Sequence, residues 1–167
     1  SHNICLEPAQ DTGYCLVWRD EFNATSIDSS KWQYEKNCHG GGNNEAQCYV
    51  ENANNVWQDG EMLFIRAIRE DTVGPAVHDD HPDYDPNDTS GSGSYTSGRL
   101  RSLGMGDWQY GRFEIRAKLP RGQGTWPAVW MLPTDWVYGG WASSGELDIM
   151  AAVTLGVGGE HRVHGTL

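Results

Sequence analysis

The chain has 167 residues and carries 12 lysines and arginines against 23 aspartates and glutamates, a formal net charge of −11 at pH 7. Such an excess of acid excludes a nucleic-acid binder that works by neutralising phosphates. Apolar residues make up 38%, with 8 Trp and 7 Tyr, enough to fold a core, and no run approaches the roughly 18 apolar residues of a membrane span.

The start, Ser1-His2-Asn3, lacks the basic-then-apolar pattern of a signal peptide, so the chain reads as a mature, soluble product. Four cysteines follow as two pairs of equal spacing, Cys5/Cys15 and Cys38/Cys48. Local pairs flanking loops suit disulfides better than metal, and none forms a C-x-x-C knuckle. Disulfides persist in secreted or periplasmic proteins, which is where this composition points; four reduced thiols in a cytosolic protein is the alternative.

In chain order, strands are expected at 16–22, 31–34 and 47–50, from short apolar or alternating runs. A two-residue hairpin is expected at Asp59-Gly60, between Asn55-Val56-Trp57 and the run 62–68. From 70 to 94 the pattern gives way to Asp, Pro and Gly, which reads as a long acidic surface loop. His78, Asp79, Asp80, His81, Asp83 and Asp85 lie in it, at spacings that match neither an EF-hand nor a zinc motif. Asn23-Ala24-Thr25 and Asn87-Asp88-Thr89 are glycosylation sequons for a eukaryotic source. Further strands are expected at 96–102, 112–119, 128–132, 146–150 and 162–167. Of these, 112–119 alternates apolar and charged residues most strictly. The whole reads as an all-β sandwich of two antiparallel sheets. Sandwiches commonly run to about 200–250 residues, so C-terminal strands are expected beyond Leu167.

Two segments carry chemistry. Alternation in Ser144-Gly145-Glu146-Leu147-Asp148-Ile149-Met150-Ala151 places Glu146 and Asp148 on one strand face, with Leu147 and Ile149 towards a core. Adjacent carboxylates repel when both are ionised, a property that acid/base and glycoside chemistry exploits. Ordinary solvent-face residues of an edge strand are the alternative. Upstream, alternation puts Trp126, Ala128 and Trp130 on one face. Indole faces suit the C–H faces of sugar rings, so acids beside them read as a carbohydrate cleft; core packing is the other common fate of a Trp.

Six motifs, in order, carry a resemblance: Trp18-Arg19-Asp20-Glu21-Phe22, Gly41-Gly42-Asn43-Asn44-Glu45, Thr96-Ser97-Gly98-Arg99-Leu100, Tyr110-Gly111-Arg112-Phe113-Glu114, Trp126-Pro127-Ala128-Val129-Trp130-Met131-Leu132-Pro133 and Gly145-Glu146-Leu147-Asp148-Ile149-Met150. The sequence resembles glycoside hydrolase family 16, and within it the laminarinase (endo-β-1,3-glucanase) branch, from about residue 16 onward without the 70–94 loop. The resemblance implies a β-jelly-roll with a concave substrate groove, a single catalytic domain over 1–167 that is incomplete at its C-terminus, and endo-acting cleavage of β-1,3-glucan with retention. No cofactor is implied for catalysis. In the family pattern Glu-x-Asp-x-x-Glu, Glu146 matches the nucleophile, Asp148 its helper, and Ala151 the position of the acid/base. A β-bulge at Ile149-Met150 is expected, because strict alternation would turn 151 away from the groove.

Alanine has no proton to give. Losing a general acid costs about 10²–10⁴ in rate, so the chain is expected to bind glucan and barely hydrolyse it. A deliberate Glu→Ala substitution explains the retained Glu146 and Asp148 best; a natural glucan-recognition protein and a compensating acid elsewhere are the alternatives. Mixed-linkage glucan or a marine galactan are the alternative substrates. The resemblance also implies that Arg99 and one of Asn43 and Asn44 bind sugar hydroxyls, that Trp126 and Trp130 shape the subsite nearest the nucleophile, and that His164 contacts the substrate across the scissile bond. Arg99 as a mere partner of acids and His164 as a strand-edge cap are the plainer readings. The resemblance implies a structural calcium held by Glu21, the Gly60 carbonyl and a late Asp that would lie beyond Leu167. The partner implied is a β-1,3-glucan polysaccharide or oligosaccharide, with no nucleic acid or membrane, bound by a secreted monomer.

Overall fold

The computed structural model describes residues 5–8 and 13–167; the Ser1-His2-Asn3 start lies outside them. The described residues are all-β, as the alternation implies, apart from one 3-10 turn at Gly40–Gly42. In chain order the strands are β1 (Glu7–Pro8), β2 (Cys15–Leu16), β3 (Gln33–Tyr34), β4 (Gln47–Tyr49), β5 (Val56–Gln58), β6 (Leu63–Ile65), β7 (Ile68–Gly74), β8 (Gly91–Ser97), β9 (Leu100–Arg101), β10 (Ala128–Met131), β11 (Leu147–Ala151) and β12 (His164–Thr166). No helix among the described residues is long and apolar enough to cross a membrane. Both expected disulfides are present, Cys5–Cys15 and Cys38–Cys48.

The chain divides into two compact units, Ser1–Trp108 and Gln109–Leu167. In the first, β1·β2, β3·β9, β5·β6 and β7·β8 are antiparallel pairs, and β4 joins the edge of β8 in parallel. That parallel pair departs from the purely antiparallel expectation. It is accessible because β5, β6 and β7 lie between β4 and β8 in the chain, a connection long enough for a crossover. The buried centre of this unit is largely polar. Asn55 is fully buried and donates from Nδ2 to the Arg66 carbonyl (3.1 Å) and to Thr96 Oγ1 (2.9 Å), tying the β5–β6 hairpin to β8. Gly98, just after β8, passes so close to Val56 that a Cβ would sit 2.0 Å from its Cγ2. Only glycine fits that position without moving β5.

Several expected boundaries shift. The hairpin loop is the four residues 59–62, because Gln58 pairs with Leu63. Asp59 turns it by accepting hydrogen bonds from the Glu61 and Met62 N–H groups on Oδ1 (3.0 and 3.1 Å), while Gly60 takes φ +93°. The acidic loop narrows to 75–90, since residues 70–74 and 91–94 belong to the β7–β8 ladder. Of 16–22 only Leu16 is in a strand. The rest is held by side chains: Trp18 packs edge-on against Trp32 (5.4 Å) and Trp108 (5.2 Å), and Asp20 accepts the Trp32 indole N–H at 2.8 Å.

In the second unit β10, β11 and β12 form one antiparallel sheet in that order. The 112–119 stretch, the strictest alternation in the sequence, belongs to no strand, with Phe113 and Ile115 both exposed. Alternation specifies which face a strand would bury, but the ladder has to come from a partner strand, and 112–119 belongs to none of the sheets.

Candidate active site

The three-stranded sheet organises the predicted residues. Ala128 and Trp130 are two apart on β10, so they share a face. Their partners on β11 are Ala151 and Asp148, which are three apart. The extra residue is Ile149, skipped between Val129↔Met150 and Trp130↔Asp148; this is the expected bulge. On the other side, Asp148 pairs with Thr166 and Ala151 with His164, again two residues against three. Two rows therefore cross the sheet on one face: Ala128, Ala151, His164, and next to it Trp130, Asp148, Thr166. Without the bulge, position 151 would point to the opposite face from Asp148.

Glu146 immediately precedes β11, two residues before Asp148, and is half-buried. Its Oε2 accepts a 2.6 Å hydrogen bond from the indole Nε1–H of Trp141. Trp141 is 71% exposed and was not singled out from the sequence. The only signal for it was an indole five residues before a carboxylate in a Gly-rich turn, where no periodicity applies. Trp126 lies beyond the other end of β10, 55% exposed. Pairing continues there, with the Ala152 N–H donating to the Pro127 carbonyl (3.2 Å) and the Thr154 N–H to the Thr125 carbonyl (2.8 Å). Leu147, expected to face a core, is 47% exposed; the buried apolar residues of this unit are Ala152 and Leu155, past the end of β11.

In the first unit, Arg99 lies between β8 and β9. Its Nε pairs with Glu35 Oε1 at 3.0 Å, and its guanidinium lies 5.6 Å over the Tyr49 ring. Tyr49 Oη accepts from Gln47 Nε2 (3.1 Å), the same amide donates to Glu45 Oε2, and Glu45 Oε1 accepts from Asn43 Nδ2 at 3.3 Å. Asn43 and Arg99 thus belong to one polar network. Burial pushes the Glu35 carboxyl up from the ordinary range, and Arg99 and then Arg101 pull it part of the way back. Burial also raises the Tyr49 hydroxyl. Asn44 follows Asn43 at φ +55°, a conformation asparagine tolerates better than most residues.

Glu21 and Gly60 also lie in this unit, Glu21 exposed and Gly60 in the β5–β6 turn. Ca²⁺ takes about six to eight oxygen ligands. Among the described residues no group of three or more His, Cys, Asp and Glu side chains is gathered to hold a metal.

The sequence model of glycosyl hydrolases family 16 matches residues 68–155, which include β10 and β11 but not β12. The chain belongs to this family. A glucan endo-1,3-beta-glucosidase A1 from Niallia circulans is 43% identical over 148 residues, 84% of this chain and 20% of that protein. A beta-1,3-glucan-binding protein from Penaeus monodon is 34% identical over 87% of this chain and 45% of its own length. The family 16 chain thus spans less than half the length of these relatives. The laminarinase structure from Rhodothermus marinus matches with a TM-score of 0.72 at 41% identity, covering 90% of this chain and 53% of that one. The all-β jelly-roll class expected from the sequence is the fold shared with that laminarinase structure.

Proposed function

We propose that this chain is part of an endo-acting, retaining β-1,3-glucanase whose acid/base position holds Ala151, so that it binds laminarin-type glucan and scarcely cleaves it. The observation that carries the reading is the bulge at Ile149, which sets position 151 on the same face as Asp148, between Ala128 and His164. A carboxylate at 151 would stand on the same strand face as Glu146. A retaining pair needs its carboxyl groups about 5–5.5 Å apart, within reach of two glutamates leaning together along one strand.

With a glutamate at 151, Glu146 would attack the anomeric carbon as the glycosidic C–O bond breaks, and the residue at 151 would protonate the departing oxygen. It would then take a proton from the water that displaces Glu146, and two inversions give net retention. The Trp141 indole N–H holds one oxygen of Glu146, which leaves the other oriented for attack. Asp148, two residues on, keeps the nucleophile positioned. In the present chain the sugar leaves as an unprotonated alkoxide, and the rate falls by about 10²–10⁴. By the family resemblance, Asn43 or Asn44 and Arg99 would bind sugar hydroxyls, Trp126 and Trp130 would supply stacking surface, and His164 would meet the substrate beside position 151. A match that covers 90% of this chain and 53% of one laminarinase chain supports reading 1–167 as part of a single catalytic domain that is incomplete at its C-terminus. Two disulfides support secretion.

A second reading is a glucan-recognition protein without turnover, favoured by the alanine at 151 and by the similarity to a protein named for glucan binding. Reducing-end release from laminarin, by the protein as it stands and as Ala151→Glu, separates the two. Release by the glutamate form alone supports the enzyme; binding by both with release by neither supports recognition. Barley mixed-linkage glucan and agarose, assayed in parallel, test the alternative substrates.

A further inference from the structure

We propose that Glu35 is the positioning residue for Arg99, and that Asp80, on the 75–90 segment, determines how firmly Glu35 can hold it. The inference rests on the reading of Arg99 as a sugar-binding residue.

Glu35 directly follows β3, and its backbone N–H donates to the Arg99 carbonyl at 3.0 Å, so the backbone pairing and the side-chain pair reinforce each other. The Glu35 side chain is 8% exposed and takes Arg99 at Nε. Fixing Nε while the guanidinium lies over Tyr49 constrains both the position and the plane of the group. A buried ion pair adds little net stability over apolar packing, and its better-attested use is to specify geometry.

Arg101 threatens that arrangement. It lies two residues beyond Arg99 and approaches the same Glu35 oxygen at 3.9 Å. Asp80 draws it away with a two-pronged contact, Nη2 to Oδ1 at 2.8 Å and Nη1 to Oδ2. Asp80 is in turn held where it is by its own segment, which docks on the residues after Glu35. Asp79 accepts from the Lys36 N–H (2.9 and 3.1 Å) and from Asn37 Nδ2 (2.6 Å), and Tyr84 donates its hydroxyl to the Lys36 carbonyl (2.9 Å). The stretch that reads in sequence as a solvated acidic loop is thus a docked segment, and its acids partition two arginines between two carboxylates. If Asp80 were lost, Arg101 would compete with Arg99 for Glu35, and the guanidinium that meets the sugar would lose its fixed plane.

Because Ala151 suppresses turnover, affinity can be measured at equilibrium. A β-1,3-linked glucose oligosaccharide is titrated calorimetrically into the protein and into Arg99→Ala, Glu35→Gln, Asp80→Asn and the double variants with Arg99→Ala. Arg99→Ala is expected to weaken binding about tenfold, Glu35→Gln about fivefold and Asp80→Asn about threefold, the range of one charge-assisted hydrogen bond made or loosened. Neither carboxylate change should weaken binding further once Arg99 is alanine. That coupling is the readout a merely structural role would not produce. If Glu35→Gln does not fold, Asp80→Asn at the surface carries the test alone. Unchanged affinity in Arg99→Ala would overturn the sugar-binding reading, and the inference with it. Loss in Arg99→Ala together with unchanged affinity in the carboxylate variants, or losses that add to it, would overturn the inference alone.

Discussion

Arg99 and Glu146 are held in opposite ways. Arg99 is over-determined: a buried carboxylate at Nε, an aromatic ring beneath the guanidinium, and a second arginine kept at a distance by Asp80. Among the described residues the Glu146 carboxylate takes one hydrogen bond, from an indole that is itself mostly exposed. The contrast matches the two tasks proposed for these residues. A group that binds neutral hydroxyls gains from a fixed orientation, whereas a nucleophile must form and break a covalent bond and needs one oxygen unencumbered. Where the proposed binding region is secured by many weak constraints, the proposed reacting region depends on the register of one strand.

The change with the largest expected effect acts on the reacting region. Ala151→Glu should raise the rate of laminarin cleavage by about 10²–10⁴, read as initial rates of reducing-end release, because in the proposed mechanism it supplies the missing proton donor. Next comes a change to the binding region. The Cys38–Cys48 bridge closes the segment bearing Asn43, Asn44, Glu45 and Gln47. Replacing both cysteines by serine should cost about 2–3 kcal/mol in urea unfolding, the expectation for a loop of about ten residues, and should weaken glucan binding alongside. A loss of stability with unchanged affinity would show that the network around Arg99 does not depend on that loop.

Trp141→Phe, in the Ala151→Glu background, tests the single tether. It keeps the ring and removes the N–H, and should lower kcat about tenfold with little change in KM, since it acts on the nucleophile and not on substrate binding. The smallest effect concerns pH. Its hydrogen bond from Arg101 holds the Asp80 carboxyl below the ordinary range. A depressed carboxyl contributes stability that is fully present above its unfolded value, about 3.9, and lost as pH falls through the lowered folded value. Asp80→Asn should therefore destabilise the protein at pH 7, by no more than about 1 kcal/mol given its half-exposed carboxylate, and the difference from the parent should vanish in strong acid.

The reacting region was largely legible in the sequence because its logic is local. Period-two alternation assigns Trp126, Ala128 and Trp130 to one face, and the family pattern Glu-x-Asp-x-x-Glu, laid on Glu146, Asp148 and Ala151, implies a bulge at Ile149-Met150, where the structure skips Ile149. The binding region was legible only as motifs. Glu35, Tyr49 and Asp80 meet around Arg99 and Arg101 through pairings between residues 21 to 66 positions apart, and no local pattern encodes such meetings. Asp80 in particular sits among other aspartates, where composition argues for solvation; only the position of Arg101 shows that it is paired. The 112–119 stretch erred in the other direction. Its alternation is strict, but a pattern on one segment cannot supply the partner strand that makes a ladder.

The most direct test of the central claim uses the protein with Ala151 in place and an activated aryl β-glucoside of a laminari-oligosaccharide, whose leaving group needs no proton. Glu146 should displace the phenolate, and added azide, entering where the missing acid/base would stand, should release the glycosyl group from the enzyme. The account predicts a β-glycosyl azide, the product of two inversions, seen by proton NMR of the anomeric signal. An α-glycosyl azide, or no azide adduct despite binding of the substrate, would contradict the assignment of Glu146 as nucleophile and of position 151 as the gap.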